Sequence, residues 1–364
     1  MSTEHLLLLG TNIDKIYGVI FDEKAKTLRK TAENELAPKS SWIIQHPNIA
    51  DLIYFNAAGE SKLFAGTFDR HGKVTILDEA QQSEESKGPC HFALAPDNSA
   101  LIVANYHSGN ICMLPLNDNG RFMNAKTEPS LNFTPPHKPV DHPRQTEAHA
   151  HQIVVHDGRV LVPDLGSNKV WRIRPGHGDD QSRWVLEGAV EGFDVGDGPR
   201  HVVVHPNGRI LYVLNEISSE LTAHTLPSDP SKPSELLSRH TLLPPSDQGN
   251  GPKMKASALI YLPPLAPTGN AMLIGSNRDS PRGKDALAVF SVDPEGRVER
   301  APTPWIEDVA QSLRGVAADK SGRFVCAAGE ESGGLVVYER VGNVELRQVA
   351  RLDEVEKVIA PLWV

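Results

Sequence analysis

Short apolar runs alternate with polar, turn-forming clusters along most of this chain, and the same phrase keeps returning. One copy consists of an apolar run, a turn built from Pro, Asp, Asn, Gly and Arg, a second apolar run, a polar tip and a third run. The clearest copy is His201-Val-Val-Val-His-Pro-Asn-Gly-Arg-Ile-Leu-Tyr-Val-Leu-Asn-Glu216, followed by Leu221–Leu226. Others begin at His91, His151 and Gly315, and weaker ones at Trp42 and Ser257. Runs of this length with turn chemistry at each tip predict small antiparallel sheets. The copies start roughly 50 to 60 residues apart, a period that belongs to propellers and solenoids. A lone sheet of this kind cannot bury its faces, so the copies must pack against one another radially.

Six internal copies leave the two ends over. His5-Leu-Leu-Leu-Leu-Gly-Thr and Ile16-Tyr-Gly-Val-Ile-Phe form strands with nothing before them, and Val358-Ile-Ala-Pro-Leu-Trp-Val forms a strand with nothing after it. Joined, they make a seventh sheet, which ties down both termini and removes an exposed edge. The expectation is an all-β chain, a seven-bladed β-propeller with one blade closed by the N- and C-terminal strands, forming a single domain over residues 1–364. No stretch sustains a helical apolar stripe for more than about two turns. The 28 prolines and 29 glycines are dispersed, as many short strands require. Asn117–Asp141 and Leu226–Pro252 are the long polar stretches, and both read as inter-strand loops.

Charge removes whole classes of partner. A net charge of −9 with no Lys/Arg-rich block argues against nucleic acid and against an acidic membrane. Leu6–Leu9 is too short to span a bilayer, and the first residues lack a basic secretory n-region, which makes the cytosol the expected compartment. Cys90, Cys112 and Cys326 are odd in number, far apart and without metal-type spacing, and read as small buried residues.

Charged residues interrupt the strand pattern at four places. Arg144-Gln-Thr-Glu-Ala-His-Ala-His151 precedes an inner strand and puts His149 and His151 on one side of an extended chain. With Glu147 the pair resembles half a metal site, but no further ligand motif completes it. His149 bonds a neighbouring blade or lines the site, while His151 heads its strand. Asp197-Gly-Pro-Arg200-His201 holds Arg200 rigidly before the next strand, suited to a carboxylate or phosphate or to an inter-blade salt bridge. Val213-Leu-Asn215-Glu216 ends a strand in a carboxylate, either an arginine's partner or an acid/base. Gly275-Ser-Asn-Arg278 repeats the charged strand end one blade later. Asn105, Asp164, Asn215 and Asn277 occupy that strand end in successive blades, as packing first and site lining second. No Ser-His-Asp order, nucleophile elbow, phosphate-cradling loop or dinucleotide fingerprint is present. The residues alone imply an anion-binding funnel with one acid/base histidine.

Five linked motifs, in order along essentially the whole chain, resemble the seven-bladed propeller lactonases. They are Gly88-Pro-Cys-His91 with Val103-Ala-Asn-Tyr106; Arg144-Gln through His149-Ala-His151; Asp164-Leu-Gly; Gly198-Pro-Arg-His-Val-Val-Val-His-Pro-Asn-Gly-Arg with Val213-Leu-Asn-Glu; and Ser276-Asn-Arg with Leu287-Ala-Val-Phe. That family includes propeller-type 6-phosphogluconolactonases and the fungal 3-carboxy-cis,cis-muconate lactonising enzyme. The resemblance implies His151, Glu216, Arg200 and Arg278 as the catalytic group and no metal or organic cofactor. Arg144, His149, Asn105 and Asn215 are the expected substrate-lining residues. The substrate is expected to be a small anionic lactone or carboxylate. Pro-Cys-His, Asn-Tyr and His-Ala-His resemble the sugar-lactone hydrolases, whereas Leu242-Leu-Pro-Pro and the terminal Leu-Trp resemble the fungal branch. Three functions therefore stand at this point: hydrolysis of an aldonic or 6-phosphogluconic lactone, cyclisation of a substituted muconate, or a non-catalytic interaction platform.

Overall fold

A computed structural model describes residues 3–36, 39–127, 131–133, 142–175 and 184–364. They form seven four-stranded antiparallel sheets, and the only helical turn among the described residues is a 3-10 segment at Gln248–Lys253. In chain order, sheet one joins Val358–Trp363 to Glu4–Thr11, Lys15–Asp22 and Thr27–Glu35. Sheet two holds Ile43–Gln45, Leu52–Ala57, Lys62–Phe68 and Val74–Gln81. Sheet three holds Pro89–Leu94, Ala100–Asn105, Asn110–Pro115 and Leu131–Asn132. Sheet four holds Val154–His156, Arg159–Asp164, Lys169–Pro175 and Trp184–Val190, and sheet five Pro199–Val204, Ile210–Asn215, Glu220–Thr225 and Leu236–Thr241. Sheet six comprises Lys255–Leu262, Ala271–Arg278, Leu287–Val292 and Val298–Ile306; sheet seven comprises Gln311–Ala318, Phe324–Ser332, Leu335–Val341 and Glu345–Leu352.

The expected repeat thus holds, with one correction. The two polar stretches taken for loops each contain the outermost strand of a sheet. Leu236–Thr241 lies within Leu226–Pro252, and the two-residue strand Leu131–Asn132 within Asn117–Asp141. An outermost strand has a neighbour on one side only and stays largely in solvent, so its sequence carries no apolar alternation to betray it. Residues 128–130 and 134–141 of the second stretch lie outside the described residues.

Contacts divide the chain into two compact units, one of residues 1–57, 65–77 and 241–364, the other of residues 58–64 and 78–240. In the first unit the termini close sheet one as expected, with Leu7 paired to Trp363 and Leu9 to Pro361. Sheets one and seven share a core of Leu7, Leu9, Phe21, Phe324, Val337 and Trp363. The Phe21 and Phe324 rings meet edge to face at 5.0 Å, and Trp363 Nε1 donates to the Ala317 carbonyl at 3.3 Å. Gly315 admits the C-terminal strand, because a Cβ there would lie 2.4 Å from Pro361 Cδ. Deleting Ile359–Val364 removes the buried Ile359, Ala360 and Trp363 and bares an apolar strand edge. At about 1.5–3 kcal/mol for each large apolar side chain, the cooperative melt of the full chain should be lost. A truncated protein that melts normally would exclude this closure.

The second unit carries sheets three, four and five. Ala104, Ile111, Val160, Val162, Trp171 and Ile173 pack sheet three on four, and Leu161, Val170, Val202, Leu211 and Val213 pack sheet four on five. Fully buried polar residues finish the strand tips. Asp164, for example, accepts the backbone N–H groups of His149 at 2.7 Å and Ser167 at 2.9 Å, and Trp171 Nε1 at 2.9 Å. A single carboxylate thereby satisfies backbone donors that would otherwise be stranded in the interior.

Candidate active site

A β-bulge recurs at the start of the inner strands of sheets three and five. Pro89 pairs with Asn105 and His91 with Ala104, leaving Cys90 as the extra residue. Pro199 pairs with Asn215 and His201 with Leu214, leaving Arg200 as the extra residue. Bulges re-aim the side chain they release. The glycine before the second bulge is required: Gly198 has φ of +71°, and a Cβ there would sit 2.8 Å from Ile217 Cδ1. Cys90 is only partly buried, unlike Cys112 and Cys326.

Arg200 so placed donates from Nε to Glu216 Oε2 at 2.8 Å and from Nη1 to His201 Nε2 at 3.0 Å. A guanidinium can only donate, so His201 Nε2 is an acceptor and the ring is neutral. Burial first, and the Arg200 charge second, hold His201 well below the usual histidine range. Glu216 follows the strand Ile210–Asn215, is 2 % exposed, and has its own N–H bonded to the Gly198 carbonyl at 2.8 Å. Its second oxygen accepts Arg144 Nη2 at 2.5 Å. One buried carboxylate therefore receives two guanidiniums, from Arg200 of its own sheet and from Arg144 of the preceding segment. Arg144 Nη2 also reaches the Tyr106 hydroxyl at 3.3 Å. Its Nε and Nη1 meet no protein acceptor among the described residues, and the side chain is 31 % exposed.

His151 completes the group, with Nε2 4.0 Å from Glu216 Oε2 and its N–H bonded to the Pro163 carbonyl. Its ring stands 5.6 Å from His201 and 5.5 Å from Tyr106, edge-on to both. His149 is engaged with Tyr106 instead. It stacks on Tyr106 at 4.5 Å, and its Nδ1 bonds the Tyr106 carbonyl at 2.9 Å. Asn105 and Asn215 are fully buried, Asn105 bonded to Gln82 and Asn110 and Asn215 to Thr222. Arg278 belongs to the first compact unit, where its Nη1 contacts Asp279 at 3.2 Å.

Sequence reasoning passed over Tyr106, His91 and His201. The available signal was the repeated Gly-Pro-X-His, now visible as the repeated bulge. His91 Nδ1 accepts the Ile153 N–H at 3.2 Å, and burial pushes its pKa down to about 3, with Arg200 contributing. His224, buried beside Phe193, is likewise pushed down to about 4. Burial also raises the Tyr106 phenol, against the opposing hydrogen bond from Arg144. Among the described residues no cluster of three His, Cys, Asp or Glu side chains is arranged to hold a metal ion.

The buried histidines make acid stability predictable. His91, His201 and His224 stay neutral in the fold while the unfolded chain protonates them near pH 6.5. Stability is thus full above about pH 6.5 and falls as pH drops toward the folded values, by up to about 1.4 kcal/mol per pH unit for each histidine. The melting temperature should decline steeply between pH 6.5 and 4.5, and His224→Gln should flatten that decline. An unchanged slope in the variant would contradict the assignment.

Seven four-stranded antiparallel sheets define a bladed β protein, and its second unit gathers a histidine, a carboxylate and two arginines in one cluster. Residues 7–364 match the family described as Lactonase, 7-bladed beta-propeller, so the chain belongs to the propeller lactonases, with its termini sharing one blade. It is 26% identical over 349 residues to the 6-phosphogluconolactonase of Bacillus subtilis, covering 93% of this chain and 92% of that one. Its fold matches that of a periplasmic gluconolactonase from Pseudomonas aeruginosa, with a TM-score of 0.79, 23% identity and 99% of each chain covered. It also matches a protein from Lactobacillus plantarum at TM-score 0.78 and 19% identity, again over 99% of each. No helix among the described residues is long and apolar enough to cross a membrane.

Proposed function

We propose that this lactonase hydrolyses the lactone of an aldonic or phosphoaldonic acid, with His151 as the proton-transfer group. The observation that carries the proposal is the buried Glu216 carboxylate shared by Arg144 and Arg200, with His151 beside it. The shared carboxylate fixes both guanidiniums, and Arg144 turns its remaining donors outward, where an anionic substrate group can take them. In the reaction, His151 accepts a proton from water as the water oxygen attacks the ester carbonyl. Charge builds on the carbonyl oxygen, and Arg200 offsets it. Collapse breaks the ring C–O bond, and His151 returns the proton to the leaving alkoxide, giving the open hydroxy acid. Glu216 orients the arginines and stabilises the transient imidazolium. No step calls for a metal or organic cofactor. Tyr106 is assigned to holding Arg144, and Asn105 and Asn215 to packing. The name of the Bacillus subtilis relative supports the substrate class.

Incubation with 6-phosphogluconolactone, gluconolactone and 3-carboxy-cis,cis-muconate tests the proposal. Hydrolysis of a sugar lactone above its spontaneous rate, with muconate absorbance unchanged, is expected. Consumption of muconate alone would overturn it in favour of a cyclase, and silence on all three in favour of an interaction platform.

A further inference from the structure

A bulge of the same form lies in sheet seven, and there it lacks its histidine. Leu313 pairs with Gly329 and Gly315 with Ala328, which leaves Arg314 as the extra residue. Arg314 meets the buried carboxylate of Glu330, as Arg200 meets Glu216. In each sheet the glutamate directly follows the partner of the residue before the bulge, Gly329 in one and Asn215 in the other. The two bulges differ at the next position, Gly315 against His201. Arg314 makes one hydrogen bond among the described residues, from Nη1 to Glu330 Oε2 at 3.3 Å, and its side chain is 31% exposed. Arg200 is held at two nitrogens, Nε by Glu216 at 2.8 Å and Nη1 by His201 at 3.0 Å, and is 5% exposed. A single contact lets a guanidinium pivot, whereas two contacts from separate side chains fix its plane.

His201 itself is buried, and its ring is packed edge-on between two others, 5.6 Å from His151 and 6.2 Å from His91. His91 is anchored in turn by the Ile153 N–H. A neutral imidazole that accepts at Nε2 carries its proton on Nδ1, so it turns an acceptor and no donor toward Arg200. We infer that His201 is a positioning residue that locks the Arg200 guanidinium in its working plane beside His151, a role that rests on the hydrolysis proposed above, in which Arg200 acts on the carbonyl oxygen. A donor fixed in advance needs no reordering as charge develops on that oxygen. An arginine held as loosely as Arg314 would have to be ordered during the reaction itself, which raises the barrier.

Two substitutions separate the acceptor from the packing. His201→Phe keeps a ring against His151 and His91 but removes the acceptor, whereas His201→Gln offers Oε1 in place of Nε2. On the lactone that the protein hydrolyses, His201→Phe should lower kcat by about 10²-fold with KM changed by less than about threefold. His201→Gln should recover kcat to within about tenfold of the unsubstituted protein. Added to Arg200→Ala, His201→Phe should cost less than about threefold more, because it acts through Arg200. NMR of the arginine side chains reads the lock without turnover: the Arg200 Nε–H signal should be sharp in the unsubstituted protein and in His201→Gln, and broadened in His201→Phe. Should His201→Phe fail to fold, His201→Leu takes its place. Equal kcat in the Phe and Gln variants, losses that multiply in the double variant, or an Arg200 signal indifferent to the residue at 201 would each overturn the inference. A protein silent on every lactone, whose Arg200 signal still follows the acceptor at 201, would sink the hydrolase reading and support the lock.

Discussion

His151→Ala should lower kcat on the lactone substrate by about 10²–10⁴-fold while changing KM and the melting temperature little. The expectation follows from position. His151 is the histidine beside Glu216 Oε2, whereas His91 and His201 are kept neutral by burial and are engaged with Ile153 and Arg200. A general base needs a ring that can take and return a proton during turnover, and a histidine whose pKa is pushed down to about 3 is a poor one near neutrality. His149→Ala supplies the contrast. Its ring stacks on Tyr106 and bonds the Tyr106 carbonyl, so its loss should lower the melting temperature and leave kcat within a few-fold. If His149→Ala is the inactive variant and His151→Ala turns over normally, the proton-transfer group has been assigned to the wrong face of the strand.

Glu216→Gln should damage stability and activity together. The carboxamide keeps the shape of the side chain but presents an N–H₂ where one of two guanidiniums now finds an oxygen. Arg200, with a side chain 5% exposed, is then left short of its counter-charge. Removing one partner of a buried ion pair costs about 3–5 kcal/mol, far more than the same change at a surface pair. For a chain of this size the melting temperature should fall by on the order of 10 °C. Because Glu216 also fixes Arg144 and Arg200, kcat/KM should fall by more than the loss of folded protein explains. Measuring activity well below the melting temperature separates the two effects. A variant with unchanged melting and unchanged kcat/KM would reduce the cluster to a surface-type ion pair.

Much of the fold could be read from one dimension because it repeats. The copy at His201 predicted two strands and a turn, and Pro199–Val204, Gly208 with φ of +71° and Ile210–Asn215 are that phrase in three dimensions. Closure by the ends was legible for the same reason, since two orphan strands of the right pattern needed partners. The outermost strands were not legible. Leu236–Thr241 buries none of its residues and exposes its first two, and its identity as a strand comes from the backbone of Glu220–Thr225 beside it rather than from its own side chains.

The site divides along the same line. The chain by itself determined which polar residues interrupt apolar strands, and that singled out Arg144, His149, His151, Arg200, Glu216 and Arg278. Local chemistry fixed this, because a charge at the end of an apolar run needs a reason wherever it folds. Only the tertiary structure decided who shares whom. Arg144 and Glu216 lie 72 residues apart yet form the clamp, and Tyr106, at the end of a strand of sheet three, supports Arg144. Such pairings depend on the bulges that aim Cys90 and Arg200 and on the packing of one sheet against the next. Side-chain period and turn type say nothing of either, because they describe a strand's own faces and not what a neighbouring sheet brings to them.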